Sequence, residues 1–148
     1  MPTPPLPLQR RQSVGLFGDK SLFARTLRTT LNDEQQSRYE QLANDRRRFR
    51  YRATIESAMD TLESVVALRH DQREAIVNAL FDKTTPPLAY GQYDYMLVMY
   101  RLAALAEKDV KPLLDARQWT LMRQQFNQYR TIKPTLVQNG VIEADDRN

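Results

Sequence analysis

Asp33 to Ala67 reads DEQQSRYEQLANDRRRFRYRATIESAMDTLESVVA, and it contains neither Gly nor Pro. Its apolar residues recur at helical spacing. Tyr39, Leu42, Phe49 and Ala53 form the first part of a stripe, and Ile55, Met59, Leu62 and Val66 continue it on a shifted face. Residues 33–67 are therefore expected to form one long helix, roughly 50 Å at 1.5 Å per residue. That is longer than a compact bundle of this size needs, so part of it should overhang or curve.

Working outward, Leu22, Phe23 and Leu27 share one side of a short helix expected from Asp19, its cap, to about Thr29. Before it, Pro2, Pro4, Pro5 and Pro7 with Arg10 and Arg11 predict an extended or disordered arm over residues 1–18. Downstream, Ala75, Ile76, Ala79 and Leu80 place a helix at about 70–82, which Pro86 and Pro87 end. A fourth helix, about 92–106, is apolar on nearly every face and should be the most buried. Pro112 marks the turn into a fifth from about 116, which Pro134 should kink or restart and Asn139-Gly140 should stop. No alternating strand pattern appears. The expectation is an all-α fold of about five helices in an irregular bundle. It comprises the arm at 1–18, a helical domain at 19–142 and a frayed tail at 143–148.

Composition narrows the chemistry. The chain has 148 residues, no Cys, a single His and four Gly. Disulfide frameworks, thiol nucleophiles and zinc ribbons are excluded, and one His removes most general-base dyads. Four glycines are too few for a phosphate-cradling α/β fold. No apolar run approaches the ~20 residues of a membrane span. The net charge of +4 resides in residues 1–30, where Arg10, Arg11, Lys20, Arg25 and Arg28 face only Asp19. The rest of the chain is close to neutral. The basic character thus belongs to the N-terminal segment, which weakens any argument for nucleic acid from charge alone.

A short phrase recurs at three helix starts: Leu31-Asn32-Asp-Glu-Gln35, Leu68-Arg-His-Asp-Gln72 and Leu114-Asp115-Ala-Arg-Gln118. Asn32 and Asp115 can accept from the free N–H groups of the first turn, and Gln35 and Gln118 can reach back to the cap's own N–H. Leu114 and Trp119 can add a staple. In the second copy Arg69 stands at the cap position, so Asp71 with Glu74 is expected to cap one turn later.

The phrase is similar to the Leu-Thr-x-x-Gln (LTxxQ) motif of bacterial envelope-stress proteins of the Spy and CpxP type, with Asn, Arg and Asp here at the second position. Ser21 to Leu27, Asp45 to Arg50, Pro86 to Tyr95 and Gln118 to Leu121 more closely resemble uncharacterised, mostly exported bacterial proteins carrying several such repeats. The resemblance implies a small all-helical protein, often a cradle-shaped dimer, with no active site to carry over. It implies a periplasmic or extracytoplasmic setting if a signal lies upstream, and a cytoplasmic one otherwise. Longer relatives carry a further repeat upstream, so the chain is expected to be a C-terminal part or a short member.

The sharpest candidate site is the run Arg46, Arg47, Arg48, Phe49, Arg50, Tyr51, Arg52. Basic residues interleaved with aromatics suit phosphate tracking and base stacking. At ~100° per residue, however, these arginines spread almost all round the helix, with Leu42, Phe49 and Ala53 filling the gap. Asp45 with Arg48, and Arg52 with Glu56, are spaced to pair. A solvated, ion-paired face is the first reading, capture of an acidic or unfolded protein the second, and nucleic acid the third. Tyr90, Tyr93, Tyr95 and Tyr100 read as packing residues, and His70 as a helix-start or surface residue. Ser21, Ser37, Ser57 and Ser64 lack a nucleophile's setting, and the carboxylate pairs on helix faces lack the Glu-x-x-His of a bridged metal site. No catalytic, cofactor-binding or metal-binding residue is expected, and no cofactor. The function expected is a non-enzymatic helical protein-interaction module, chaperone-like (a holdase) or a stress-linked regulator of the cell envelope, as a homodimer or bound to other proteins. A nucleic-acid-binding module and a structural subunit of a larger assembly are the alternatives.

Overall fold

The computed structural model describes residues 21–146, and among them every element is a helix and no strand forms. The chain divides into two compact units, Met1–Asp45 and Arg46–Asn148. In the first, α1 (Leu22–Thr30) begins at Ser21, whose hydroxyl oxygen accepts the Ala24 N–H at 3.1 Å. Ser21 is therefore the cap in place of Asp19, which lies with the expected arm outside the described residues. The second helix, α2 (Asp33–Glu63), starts in this unit and continues into the next. Asp33 and Glu34 in its first turn complement the positive end of the helix dipole.

The second unit holds the rest of α2 with α3 (His70–Lys83), α4 (Asp94–Leu105), α5 (Ala116–Asn127) and α6 (Lys133–Gln138). A π turn at Ala106–Val110 and a 3₁₀ turn at Lys111–Leu113 carry α4 towards α5. Pro134 falls in the first turn of α6, where its missing N–H costs nothing, so the chain restarts there instead of kinking. Gly140, at φ +68°, supplies the left-handed residue that ends α6. Its N–H reaches the Val137 carbonyl while the Val141 N–H reaches Leu136, a reciprocal closure of the helix end.

The main core takes Tyr51, Ile55, Met59, Leu62 and Val66 from α2 and its exit, and Ile76 and Leu80 from α3. Val98, Met99 and Leu102 of α4 and Trp119, Met122 and Phe126 of α5 complete it. A smaller cluster, Leu97 with Leu136, Val141 and Ile142, fastens the C-terminal turn to α4.

The first half of the expected stripe is corrected by this packing. Tyr39, Leu42 and Phe49 are exposed, Phe49 at 79%, and Ala53 is exposed too. Apolar residues lie on two faces of α2, and helical periodicity alone does not choose between them. The buried face is the one that meets apolar side chains on other helices, and it begins at Tyr51. Its members follow at four, four, three and four residues, one unbroken stripe. The helix also ends earlier than Ala67: the Ser64 hydroxyl donates to the Thr61 carbonyl at 2.6 Å, taking an acceptor from the last turn.

Candidate functional site

The burial of Tyr51 sorts the arginine run by angle. Tyr51 is fully buried, so the expectation that it contacts a partner is corrected. Its hydroxyl lies 2.5 Å from the Thr84 hydroxyl and accepts from the Arg101 guanidinium at 2.9 Å. Its position four residues before Ile55 was the available signal. Arg48 and Arg52 flank it on one side, above the Phe81 ring at 4.5 and 5.5 Å. Arg52 also pairs with Glu56 at 3.1 Å and donates to the Asn78 side chain at 3.3 Å. The expected Arg52–Glu56 pair is thus present, whereas Arg48 turns to Phe81.

On the other side Arg47 donates to the Pro87 carbonyl at 3.1 Å, and the Tyr90 hydroxyl donates to the Arg47 carbonyl at 2.8 Å. Arg50 stacks on the Tyr90 ring at 4.4 Å. Burial pushes the Tyr90 hydroxyl above its ordinary pKa, against the pull of Arg47 and Arg50. Four of the five arginines thus brace the loop after α3 or the α2–α3 contact. All of the run but Tyr51 is exposed, and among the described residues Arg46 and Phe49 make no such contact. A groove of about 460 Å³ runs between α2 and the start of α4, lined by Ala53, Thr54, Ser57, Gly91 and Tyr95, with Arg50 at its edge.

The helix-start phrase forms both halves of its cap in the first and third copies and one half in the second. Asn32 Oδ1 accepts the Gln35 N–H at 2.9 Å and Gln35 Oε1 accepts the Asn32 N–H at 3.1 Å. Asp115 and Gln118 repeat this at 2.8 and 3.0 Å. In the second copy α3 begins at His70 with Arg69 at the cap. A guanidinium cannot accept a hydrogen bond, so only the Gln72 half forms, its Oε1 accepting the Arg69 N–H at 2.9 Å. Asp71 does not cap one turn later; it pairs with Arg69 at 3.2 Å, and that contact holds its carboxyl below the usual range.

What the sequence did not disclose is that the second and third copies mate. Gln72 Nε2 donates to Gln118 Oε1, and Gln118 Nε2 donates to Gln72 Oε1, each at 2.9 Å. Gln72 Nε2 also reaches the Leu113 carbonyl at 2.8 Å, and Gln118 Nε2 reaches Ala67 at 2.7 Å. Each carbonyl belongs to the residue just before the other copy's leucine. Both amides therefore use all four of their hydrogen-bonding positions.

Arg101 is the second group that sequence reasoning missed. It is 1% exposed and pairs with Asp146 at 3.0 Å. It also donates to the Thr85 carbonyl, while its Nε, equally buried, has no partner. With the Lys133 ammonium donating to the Asp146 carbonyl at 2.9 Å, this anchors the segment expected to fray. The signal was the one charge past the first residue of the most apolar helix, four residues after Leu97. His70 is exposed, 3.6 Å from Glu74, and the four tyrosines Tyr90, Tyr93, Tyr95 and Tyr100 are half-buried against the two cores. Among the described residues no acidic or His cluster suits a metal ion, and no helix is long and apolar enough to cross a membrane. Compared with protein-family models, curated proteins and solved structures, the chain matches none.

Proposed function

We propose that the protein is a non-enzymatic helical interaction module with chaperone-like activity, holding acidic or partly unfolded protein segments. The observation that carries this reading is Phe49, a large ring 79% exposed on α2. Arg46 precedes it by one turn on the same helix, and Ala53, one turn after it, lines the groove along α2. An exposed aromatic beside a guanidinium group is a combination enriched at protein-binding surfaces, where one anchor carries most of the energy. The bracing of the other arginines matters here. With Arg47, Arg48 and Arg52 engaged on Pro87, Phe81 and Glu56, the run offers no continuous ridge of free cations for a phosphate backbone.

The test is the variant carrying Phe49→Ser and Arg46→Gln. Both sites are exposed, so the melting temperature should change little. Protection of an aggregating client should fall about tenfold or more, the scale of losing an aromatic anchor worth about 2 kcal/mol. Undiminished protection sinks the reading. Affinity for nucleic acid that falls steeply with salt, and is lost in the same variant, would favour the alternative partner.

A further inference from the structure

Arg101 grips the segment after α6 with half of a fork. In a guanidinium the Nε–H and one Nη2–H point the same way, and together they hold a carboxylate by two parallel bonds. Asp146 takes only Nη2, at 3.0 Å, while Nε is buried without a partner. Nη1 is already committed to the Tyr51 hydroxyl and the Thr85 carbonyl. A buried donor left unpaired is costly, so the Arg101–Asp146 pair is one bond short. The segment that supplies Asp146 is otherwise lightly held. The Lys133 ammonium bonds the Asp146 carbonyl, and Glu143, Ala144 and Asp145 are exposed with no hydrogen bond to the body among the described residues. A second observation lies at the same place. Arg101 and Asp146 line a cavity of about 330 Å³ whose walls include Pro86, Leu88, Val141 and Ile142, with Leu88 55% exposed. Apolar walls around a few placed polar groups, at this size, are the makings of a small-ligand site.

We propose that Arg101 is a carboxylate-binding site which Asp146 fills as a one-point stand-in, and that a carboxylate borne on an apolar group displaces it. The incoming carboxylate takes Nε–H and Nη2–H together, two charge-assisted bonds in place of one. Its apolar part covers Leu88 and the wall of Pro86, Val141 and Ile142. The cavity's three carboxylates, Glu143, Asp145 and Asp146, all belong to the lightly held segment, so the charges that repel an anion leave with it. Val141 and Ile142 stay behind, because they are buried against Leu97 and Leu136 and the Leu88 N–H donates to the Val141 carbonyl at 2.9 Å. Two sources share this ligand chemistry, the C-terminus of a peptide ending in an apolar residue and a free small apolar acid. The chain's own carboxylate competes with either, so affinity is set by how readily the segment lets go. The site uses neither Phe49 nor Arg46 and does not depend on the client-holding reading.

The experiment is isothermal titration calorimetry of the full chain with acetyl-alanyl-leucine, its C-terminal amide and 4-methylpentanoate. A free carboxylate should bind the unchanged protein with a Kd of about 1 mM, and Asp146→Ala about tenfold more tightly because its competitor is gone. The amide should bind neither. Arg101→Met together with Asp146→Ala keeps an apolar side chain in place and should bind none of the three. In the unchanged protein, the heteronuclear NOE of residues 144–146 should fall as acetyl-alanyl-leucine is added, because the displaced segment gains fast motion. Tighter binding of the dipeptide assigns the site to a peptide terminus, and tighter binding of 4-methylpentanoate to a free acid. Amide binding equal to that of the acid overturns the proposal, as does no binding by either protein up to about 10 mM. So does binding by Asp146→Ala alone while the segment of the unchanged protein stays rigid, since the substitution would then have made the site. The variant with Phe49→Ser and Arg46→Gln should bind acetyl-alanyl-leucine as the unchanged protein does, so the two surfaces fail separately.

Discussion

Arg101 shows how much one side chain can hold. Its guanidinium lies under the loop after α3, touches Tyr51 and Thr85, and balances its charge with Asp146. A buried cation is tolerable only while it is paired, and breaking such a pair by removing one member typically costs about 3–5 kcal/mol. Asp146→Ala leaves the guanidinium buried without its counter-charge, so it should destabilise the protein by about 3 kcal/mol in urea unfolding. A loss below about 1 kcal/mol would show that water reaches Arg101 freely. Arg101→Met with Asp146→Ala should recover part of the loss, since an apolar side chain of similar length needs no partner. The same scale explains which arginines of the α2 run can meet a partner. Arg47 and Arg48 resemble Arg46 in sequence, but their contacts with Pro87 and Phe81 give them structural work.

At the scale of elements, the paired glutamines fix where α3 and α5 begin relative to each other. Each amide serves its own helix cap and the other's carbonyl, so deleting either leaves buried groups unsatisfied on both helices. Gln72→Ala and Gln118→Ala should each cost about 1–3 kcal/mol. Because they remove one shared network, the double variant should cost less than the sum, with a coupling of about 0.5–3 kcal/mol. Additive losses in denaturant titrations would mean that the two caps act separately. The helices themselves were legible: Asn32-Gln35 and Asp115-Gln118 announced two starts, Pro134 a restart and Gly140 a stop, because caps and turns are decided within a few residues. The second start misled because Arg69 cannot accept a bond, although Gln72 could still supply its half from three residues on.

At the scale of the molecule, stability at alkaline pH follows from the tyrosines at the edge of the core. Burial raises the pKa of Tyr90 and Tyr95 in the folded chain above the ordinary value of 10.0. The unfolded chain therefore loses these protons first. Their contribution is fully present below pH 10 and drains away as pH rises through the folded values. The urea midpoint should fall above about pH 10, and a variant with Tyr90→Phe and Tyr95→Phe should fall less steeply. An equal decline in both proteins would place the alkaline loss elsewhere. The net charge of +4 contributes little to this, because its excess is confined to residues 1–30.

The all-α class, the starts at Asn32 and Asp115 and the stop at Gly140 were determined by the sequence alone, since capping, turn geometry and the absence of strand alternation are local properties. The choice of face on α2 was not. Leu42 and Phe49 satisfy helical spacing as well as Tyr51 and Ile55 do, and only the positions of Ile76, Leu80 and Met99 across the core select the second set. For the same reason Tyr51 left the candidate surface, Arg101 went inside, and Gln72 found Gln118. Gln72 and Gln118 lie 46 residues apart in sequence, and Tyr51 and Arg101 lie 50 apart. Periodicity describes which side chains share a face, whereas burial depends on what another segment brings to that face, and that is a property of the folded chain.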